Sequence, residues 1–239
     1  MTDLLLSRMP SGEPEIFTSV QGEGVTVGAP AAFVRLAGCN LHCGWCDTAY
    51  TWDWALFDRR RLTGHWPVSE VAARIRASAG GPPRRLIVTG GEPLLQRPAV
   101  AELTELLRPE AFVFEVETNG TVPPGRLAEL VDQWNVSPKL ASSGNDGPGR
   151  IHAAALRALR DTGRAWFKFV VAEPRDLAEV ASLVREHDLP ERRVLLMPEG
   201  TTAATVLERI RWLVPEAIAR GWRVTPRLHV LLWGDERGR

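Results

Sequence analysis

Hydrophobic positions along the chain follow two different periods. Short apolar runs typical of buried strands lie at 31–36, 85–89, 112–118, 134–137, 166–171, 194–197 and 228–233. Apolar residues at three- and four-residue spacing predict helices at 69–79, 99–107, 151–161, 175–187 and 202–220, with a short helix at 126–132. Ser69 and Thr202 are the predicted N-caps, and Gly163 and Gly221 the predicted helix stops. The alternation of strands with helices predicts an α/β fold built on a parallel sheet.

Polar and glycine-rich segments follow most of the predicted strands. They lie at 39–46, 89–93, 117–120, 137–139 and 197–200. The carboxyl ends of parallel strands meet at one edge of a sheet, where α/β proteins bind their ligands. We therefore expect these loops to form one pocket, although glycine, proline and asparagine also end strands that carry no function.

Composition narrows the class of protein. A chain of 239 residues with 44% hydrophobic residues is long enough for one substantial domain. Its 29 basic and 29 acidic residues cancel, whereas proteins that bind nucleic acid usually carry a basic excess. No apolar run approaches the roughly 20 residues of a membrane span, and the first ten residues do not resemble a secretion signal. We expect a cytoplasmic protein with no nucleic-acid or membrane partner.

The three cysteines of the chain, Cys39, Cys43 and Cys46, fall within eight positions. An odd number at this spacing is a poor disulfide framework and indicates a site in a reducing compartment. Three thiolates without an evident fourth ligand favour an iron–sulfur cluster over structural zinc, which needs four ligands. Zinc held by the three cysteines and His42 is the alternative.

Further motifs make the cysteine cluster specific. The Cys-x3-Cys-x2-Cys spacing, with Trp45 before the third cysteine and Gly-Gly-Glu-Pro at 90–93, resembles the radical S-adenosylmethionine (SAM) superfamily. Segments 17–24, 33–41, 46–48, 117–120, 137–139 and 227–234 together resemble the 7-carboxy-7-deazaguanine synthase (QueE) family. The resemblance implies a partial (β/α) barrel with about six core parallel strands. It also implies a single radical SAM domain over residues 1–239, whose terminal extensions contribute to the substrate pocket.

The resemblance also implies a reaction. In that family 6-carboxy-5,6,7,8-tetrahydropterin is converted to 7-carboxy-7-deazaguanine with loss of ammonia, in queuosine and 7-deazapurine biosynthesis. The implied cofactors are a [4Fe–4S] cluster, SAM and Mg²⁺. The implied partners are an electron donor such as flavodoxin or ferredoxin and a second copy of the chain. Because the cofactor radical carries the difficult chemistry, no side chain is assigned a catalytic role of its own.

Residues of this chain that match the family's motifs receive roles by that resemblance. The cluster ligands are Cys39, Cys43 and Cys46, and the magnesium ligand is Thr48. The SAM contacts are Trp45, Cys46, Asp47, Gly91, Glu92, Ser137, Pro138 and Lys139. The substrate contacts are Val20, Gln21, Gly22, Glu23, Arg35, Thr89 and His229.

The chemistry of several residues agrees with these roles, and each has a plainer interpretation. The Glu92 carboxylate suits the ammonium of SAM. Gln21 and Glu23 suit the N–H groups of a pterin, although an exposed turn would also explain them. Arg35, in an otherwise apolar strand, needs either the substrate carboxylate or a structural ion pair. Lys168 is equally suited to a salt bridge that lines the barrel.

Besides the zinc site, another class of radical SAM enzyme remains an alternative on the sequence alone. A radical SAM enzyme that makes a glycyl radical on a partner protein shares the cysteine and Gly-Gly-Glu motifs, but it lacks Gln-Gly-Glu-Gly, present here at 21–24.

Segment 51–66 is rich in tryptophan and arginine. It is predicted to be a solvated loop, with a docking surface for an electron donor as the alternative.

Overall fold

A ten-stranded sheet organises the computed structural model, which describes residues 2–78 and 84–239. Its strands are β1 (Asp3–Ser7), β2 (Ile16–Val20), β3 (Pro30–Leu36), β4 (Thr63–Pro67), β5 (Arg84–Gly90), β6 (Phe112–Thr118), β7 (Gln133–Val136), β8 (Ala165–Val171), β9 (Val194–Pro198) and β10 (Arg223–Val224). The α-helices in this part of the chain are α1 (Arg59–Leu62), α2 (Val68–Ser78), α3 (Arg97–Leu107), α4 (Leu127–Leu130), α5 (Gly147–Arg150), α6 (Ala153–Asp161), α7 (Asp176–Glu186), α8 (Ala203–Arg220) and α9 (Leu228–Trp233). No helix in the described ranges is both long and apolar enough to cross a bilayer.

Six parallel strands form the centre of the sheet. They run in the order β3-β5-β6-β7-β8-β9, and the short β10 continues the parallel arrangement beyond β9. At the other end, β2 and β1 pair antiparallel with β3, and β4 pairs antiparallel with β1. The sheet stays open between β10 and β4. The predicted partial (β/α) barrel with about six core parallel strands is therefore confirmed.

The two faces of the central strands differ in polarity. Along β6, Phe114 and Val116 are buried in the main core, whereas Glu115 and Glu117 alternate with them on the inner face. This follows from the two-residue period of a strand, which sends successive side chains to opposite faces. Asn135 on β7 donates hydrogen bonds to both carboxylates, at 3.2 and 2.9 Å. The interior of the barrel is therefore polar beside β6 and β7, whereas Phe33 and Ile87 form a small apolar cluster beside β3 and β5.

Most predicted elements agree with the structure to within two residues at each end. The predicted strand at 112–118 coincides with β6. Thr202 caps α8 by accepting a hydrogen bond from the Thr205 amide at 3.2 Å, and Gly221 ends that helix with a left-handed φ of +68°. Ser69 is not a cap, because α2 already begins at Val68. The predicted end of that helix, residue 79, lies outside the described residues.

One predicted strand is wrong. Residues 228–233 form α9, with helical hydrogen bonds from the Leu231 amide to the Arg227 carbonyl at 3.0 Å and from Gly234 to Val230 at 2.9 Å. A six-residue apolar run has no period that separates a strand from a short helix. Its helical form brings His229 beside the loop that follows β2.

The amino-terminal part of the sheet was missed by the sequence patterns. Strands β1, β2 and β4 were not predicted, and segment 51–66 is not simply a solvated loop, since it contains α1 and most of β4. Strand β4 pairs with β1 over its full length, from Asp3 opposite Pro67 to Ser7 opposite Thr63. Its Thr-Gly-His-Trp-Pro sequence has no alternating apolar pattern, so the strand depends on a distant partner.

Candidate active site

A cavity of about 250 Å³ opens at the carboxyl ends of the six parallel strands. Predicted site residues that line it are Val20, Gln21, Gly22, Glu23, Arg35, Cys39, Cys43, Trp45, Cys46, Asp47, Thr48, Thr89, Gly91, Ser137, Lys139 and His229. Glu92 and Pro138 do not line it. The loops predicted to converge on one pocket therefore do so.

Each cysteine thiol accepts a hydrogen bond from a nearby N–H group. Asn145 Nδ2 lies 3.2 Å from Cys43 Sγ, and Trp52 Nε1 lies 3.3 Å from Cys46 Sγ. The amide of residue 41 lies 3.4 Å from the third sulfur, that of Cys39. Donors aimed at sulfur stabilise thiolates and tune the potential of a metal cluster bound to them.

The thiols fit an iron–sulfur cluster better than a single zinc ion. His42, the proposed fourth zinc ligand, is exposed, and its ring packs edge-on against Trp52 at 4.9 Å, so it does not face the cavity. Within residues 2–78 and 84–239, no three His, Cys, Asp or Glu side chains converge as the ligands of one metal ion do. A cluster instead binds each thiolate through a different iron. Burial raises the pKa of the Cys39 thiol to about 11, so metal binding must displace its proton.

The paired glycines after β5 allow two loops to touch. Gly90 has a φ of +89°, and a Cβ there would clash with the carbonyl oxygen of Leu36. A Cβ at Gly91 would clash with the carbonyl oxygen of Gly38, next to the cysteine loop. Glycine is required here because the two backbones meet directly.

Glu92 is turned away from the cavity, whereas the family resemblance assigns it a contact with SAM. Its side chain is fully buried, and Oε1 accepts hydrogen bonds from the Leu94 amide at 2.9 Å and the Thr118 hydroxyl at 2.8 Å. Oε2 accepts from the Asn119 amide at 2.7 Å. Both oxygens are therefore used to join the loops after β5 and β6.

Lys139 lies at the side of the cavity nearest the cysteine loop. Its Nζ donates to the Ser137 carbonyl at 3.0 Å and hydroxyl at 2.8 Å, and it lies 5.8 Å from the centre of the Trp45 ring. Burial raises the pKa of the Cys39 and Cys43 thiols, and the positive charge of Lys139 acts in the other direction and lowers it. An ammonium at this position also suits an anionic or hydroxylated ligand.

Glu23 is the most heavily paired carboxylate of the cavity. It forms ion pairs with Lys168 and with Arg227, whose Nε lies 3.1 Å from Oε1, and His229 Nε2 lies 3.9 Å from the same oxygen. Burial would raise the pKa of Glu23, but the charges of Lys168 and Arg227 outweigh it and hold that pKa far below its usual range. Glu23 is therefore an ionised hydrogen-bond acceptor.

The amino-terminal and carboxy-terminal parts of the chain meet in the cavity. The amide of Leu228 donates to the Gly22 carbonyl at 2.8 Å, and a Cβ at Gly22 would clash with the His229 ring. Burial lowers the pKa of His229, against the attraction of Glu23, so its imidazole is neutral at pH 7. The Gln-Gly-Glu-Gly segment is thus packed under α9 rather than an exposed turn.

Arg35 forms the structural ion pair that was one of its two predicted interpretations. Its Nε donates to Glu15 Oε1 at 2.7 Å, so the structural ion pair is present, and its side chain also lines the cavity. Glu15 is fully buried and also binds Arg237 Nε at 2.9 Å and the Tyr50 hydroxyl at 3.0 Å. The orientation of Arg35 is therefore held from behind.

Several residues in the cavity have no role predicted from the sequence. Glu117 and Arg227 lie in motifs that were recognised, and Trp52 lies in the predicted loop, yet no local signal indicates where their side chains point. Arg227 is buried and joins Glu23, Asp47 and the carbonyl of residue 200. Only the folded chain brings these groups together.

An open parallel barrel with three clustered cysteines at its carboxyl edge defines a radical SAM protein, and residues 34–213 match the model of the radical SAM superfamily. The chain is 42% identical to 7-carboxy-7-deazaguanine synthase of Pyrobaculum aerophilum, over 94% of this chain and 96% of that protein. It is 31% identical to the Bacillus subtilis protein of that name, over 96% of this chain and 100% of that protein. The crystal structure of QueE from Escherichia coli matches with a TM-score of 0.69 and 26% identity, covering 95% of each chain. The chain belongs to the 7-carboxy-7-deazaguanine synthase family.

Proposed function

We propose that this chain converts 6-carboxy-5,6,7,8-tetrahydropterin to 7-carboxy-7-deazaguanine with loss of ammonia. The observation that carries the proposal is a single cavity lined by three thiols together with ionised Glu23, Arg35 and neutral His229. Relatives across the full length of the chain bear the name of this synthase. The product would enter 7-deazapurine synthesis, including that of queuosine.

The cofactors follow from the family and from the lining of the cavity. Cys39, Cys43 and Cys46 would hold the [4Fe–4S] cluster, with SAM beside them against Trp45, Asp47, Gly91, Ser137 and Lys139. When bound, these groups supply hydrogen-atom abstraction, for which proteins depend on a cofactor. The contribution of the chain is to bind, to orient and to exclude water.

The substrate would lie beside Glu23 and Arg35 in the same cavity. The Glu23 carboxylate accepts hydrogen bonds from the N–H and amino groups of the pterin, and its low pKa keeps it an acceptor in mildly acidic solution. Arg35, already fixed by Glu15, would bind the substrate carboxylate. Val20, Gln21, Gly22, Thr89 and His229 would complete the surrounding wall.

Thr48 is the proposed magnesium ligand. Its hydroxyl lines the cavity 3.6 Å from Cys46 Sγ, and a hydroxyl oxygen is a hard ligand suited to Mg²⁺ together with substrate oxygens and waters. We expect Thr48→Ala to reduce the stimulation of product formation by Mg²⁺, and Thr48→Ser to retain it. The visible absorbance of the cluster should be equal in both variants. An unchanged response in Thr48→Ala would remove this residue from the metal site.

A flavodoxin or ferredoxin is the proposed electron donor. Trp52 donates a hydrogen bond to Cys46 Sγ and lies at the start of an exposed segment. In this segment Leu56 is 78% exposed, and three consecutive exposed arginines lie at 59–61. In the described part of the chain, none of these arginines forms an ion pair. An apolar tip beside unpaired positive charge suits an acidic protein partner.

A homodimer in the cytoplasm is the proposed assembly and location. Support for self-association is the exposure of apolar side chains on α8 and α9, with Ile218 at 74% and Leu232 at 56%. Equilibrium sedimentation of the chain, compared with Ile218→Asp, tests this assembly. A monomeric wild-type chain at micromolar concentration would refute it.

The function is tested by anaerobic incubation of cluster-loaded protein with dithionite, SAM, Mg²⁺ and 6-carboxytetrahydropterin, followed by mass spectrometry. We expect a deazaguanine acid that is absent from the Cys43→Ala control. Formation of 5′-deoxyadenosine without that acid would mean a radical SAM enzyme with another substrate. Absence of both from a cluster-loaded sample would overturn the proposed chemistry.

A further inference from the structure

Lys168 lies between two carboxylates inside the barrel. It is 4% exposed, and its Nζ donates to Glu23 and to Glu117 Oε2, the latter at 3.0 Å. The three residues come from the loop after β2, from β6 and from β8. Because β7 lies between β6 and β8, the side chain of Lys168 reaches across one strand to contact Glu117.

Other polar groups hold each carboxylate in place. Glu117 Oε1 accepts hydrogen bonds from Asn135 Nδ2 at 2.9 Å and from Gln21 Nε2 at 3.2 Å. The remaining charged or titratable groups around the pair are Arg227, His229, Asp47, Glu115 and Arg85. Among the cations of residues 2–78 and 84–239, only Lys168 contacts both carboxylates, whereas Arg227 contacts Glu23 but not Glu117.

Two carboxylates that share one site repel each other when both are ionised, so one of them keeps its proton to a higher pH than an isolated carboxyl does. The ammonium of Lys168 removes that repulsion. Burial would lower the pKa of Lys168, but Glu117 and Glu23 outweigh it and raise that pKa, so the lysine stays charged. Both carboxylates line the cavity.

We propose that Lys168 is a positioning residue that holds Glu23 and Glu117 together as ionised acceptors for the donor-rich edge of the pterin. The inference rests on the proposed function for the identity of the ligand. A pterin presents ring N–H and amino groups along this edge, and each requires an acceptor. A proton retained on either carboxylate would place a donor against a donor.

The affinity of cluster-loaded protein for 6-carboxypterin, measured without reductant between pH 5.5 and 7.5, tests this role. The ligand's own fluorescence in equilibrium dialysis reports binding and requires no turnover. For the wild-type protein we expect a shallow profile, because Glu23 stays ionised over this range. For Lys168→Met we expect an additional loss of up to about tenfold per pH unit as pH falls, because the two unscreened carboxylates then share a proton.

Two variants serve as matched controls. Lys168→Arg keeps the positive charge, so its pH profile should follow the wild type even where its affinity is lower. Arg227→Met removes a cation from Glu23 but leaves Lys168 between the carboxylates, so its affinity should fall without the added slope. A purely structural role for Lys168 would lower affinity equally at every pH.

The outcomes separate the inference from the proposed function. Parallel profiles for Lys168→Met and the wild type, or an equal added slope in Arg227→Met, would overturn the role of Lys168 while the pterin assignment stands. Failure of the wild-type protein to bind 6-carboxypterin would overturn both. The added slope in Lys168→Met alone supports the proposal.

Discussion

Replacing Glu92 by glutamine distinguishes a scaffold role for this carboxylate from a contact with SAM. The substitution keeps the shape of the side chain but turns one oxygen into an NH₂ donor. In the wild-type protein the two oxygens accept from the amides of Leu94 and Asn119 and from the Thr118 hydroxyl, all within 2.9 Å. The hydroxyl can rotate to accept a bond, but an amide N–H cannot.

Either orientation of the new amide therefore leaves one backbone N–H, that of Leu94 or of Asn119, without its acceptor. A buried donor left unsatisfied costs about 1–3 kcal/mol. The side chain of Glu92 is fully buried, so water does not replace the lost partner. For a chain of this length, each kcal/mol lowers Tm by about 2–4 °C.

The assay is thermal and urea unfolding of the apoprotein, together with SAM affinity of the cluster-loaded protein. Glu129→Gln is the matched control, because Glu129 is exposed and its substitution should change stability by no more than about 0.5 kcal/mol. We expect Glu92→Gln to be less stable and to lose SAM affinity only as far as its loops loosen. Wild-type stability combined with a tenfold loss of SAM affinity would refute the scaffold role.

Three further predictions concern the surroundings of the site. The charges of Arg35 and Arg237 outweigh burial and lower the pKa of Glu15 from 4.5. Ionised Glu15 therefore stabilises the fold above that pH, and this stabilisation is lost as pH falls through the lowered pKa. Arg237→Met should unfold at a higher pH in an acid titration followed by circular dichroism, and an unchanged midpoint would contradict this. Trp52→Phe removes an N–H donor from a cluster thiolate and should lower the midpoint potential of the cluster in a redox titration, whereas an equal or higher potential would argue against that hydrogen bond. Gly91→Ala should lower cluster content per chain after reconstitution, because its Cβ would clash with the backbone of the cysteine loop, and full loading would contradict that packing.

Local sequence was sufficient for the elements whose burial pattern is complete within one segment. The six central strands and the longer helices were predicted because their hydrophobic period and end signals lie in neighbouring residues, as in β6 and α8. The cysteine loop and Gly90-Gly91 were identified for the same reason, since cluster spacing and tight turns are local properties. Strand β4 and helix α9 were not, because a distant partner decides their form.

The sequence by itself determined the class of fold, the cysteine loop and the set of loops that form the cavity. Only the tertiary structure decided that Glu92 turns away from the cavity, that Lys168 joins Glu23 to Glu117, and that Arg237 supports Glu15 from the far end of the chain. The physical reason is that the state of a buried charge depends on which opposite charge lies within a few ångströms. Those partners are separated by 27, 145, 51 and 222 positions along the chain, so no local pattern records them.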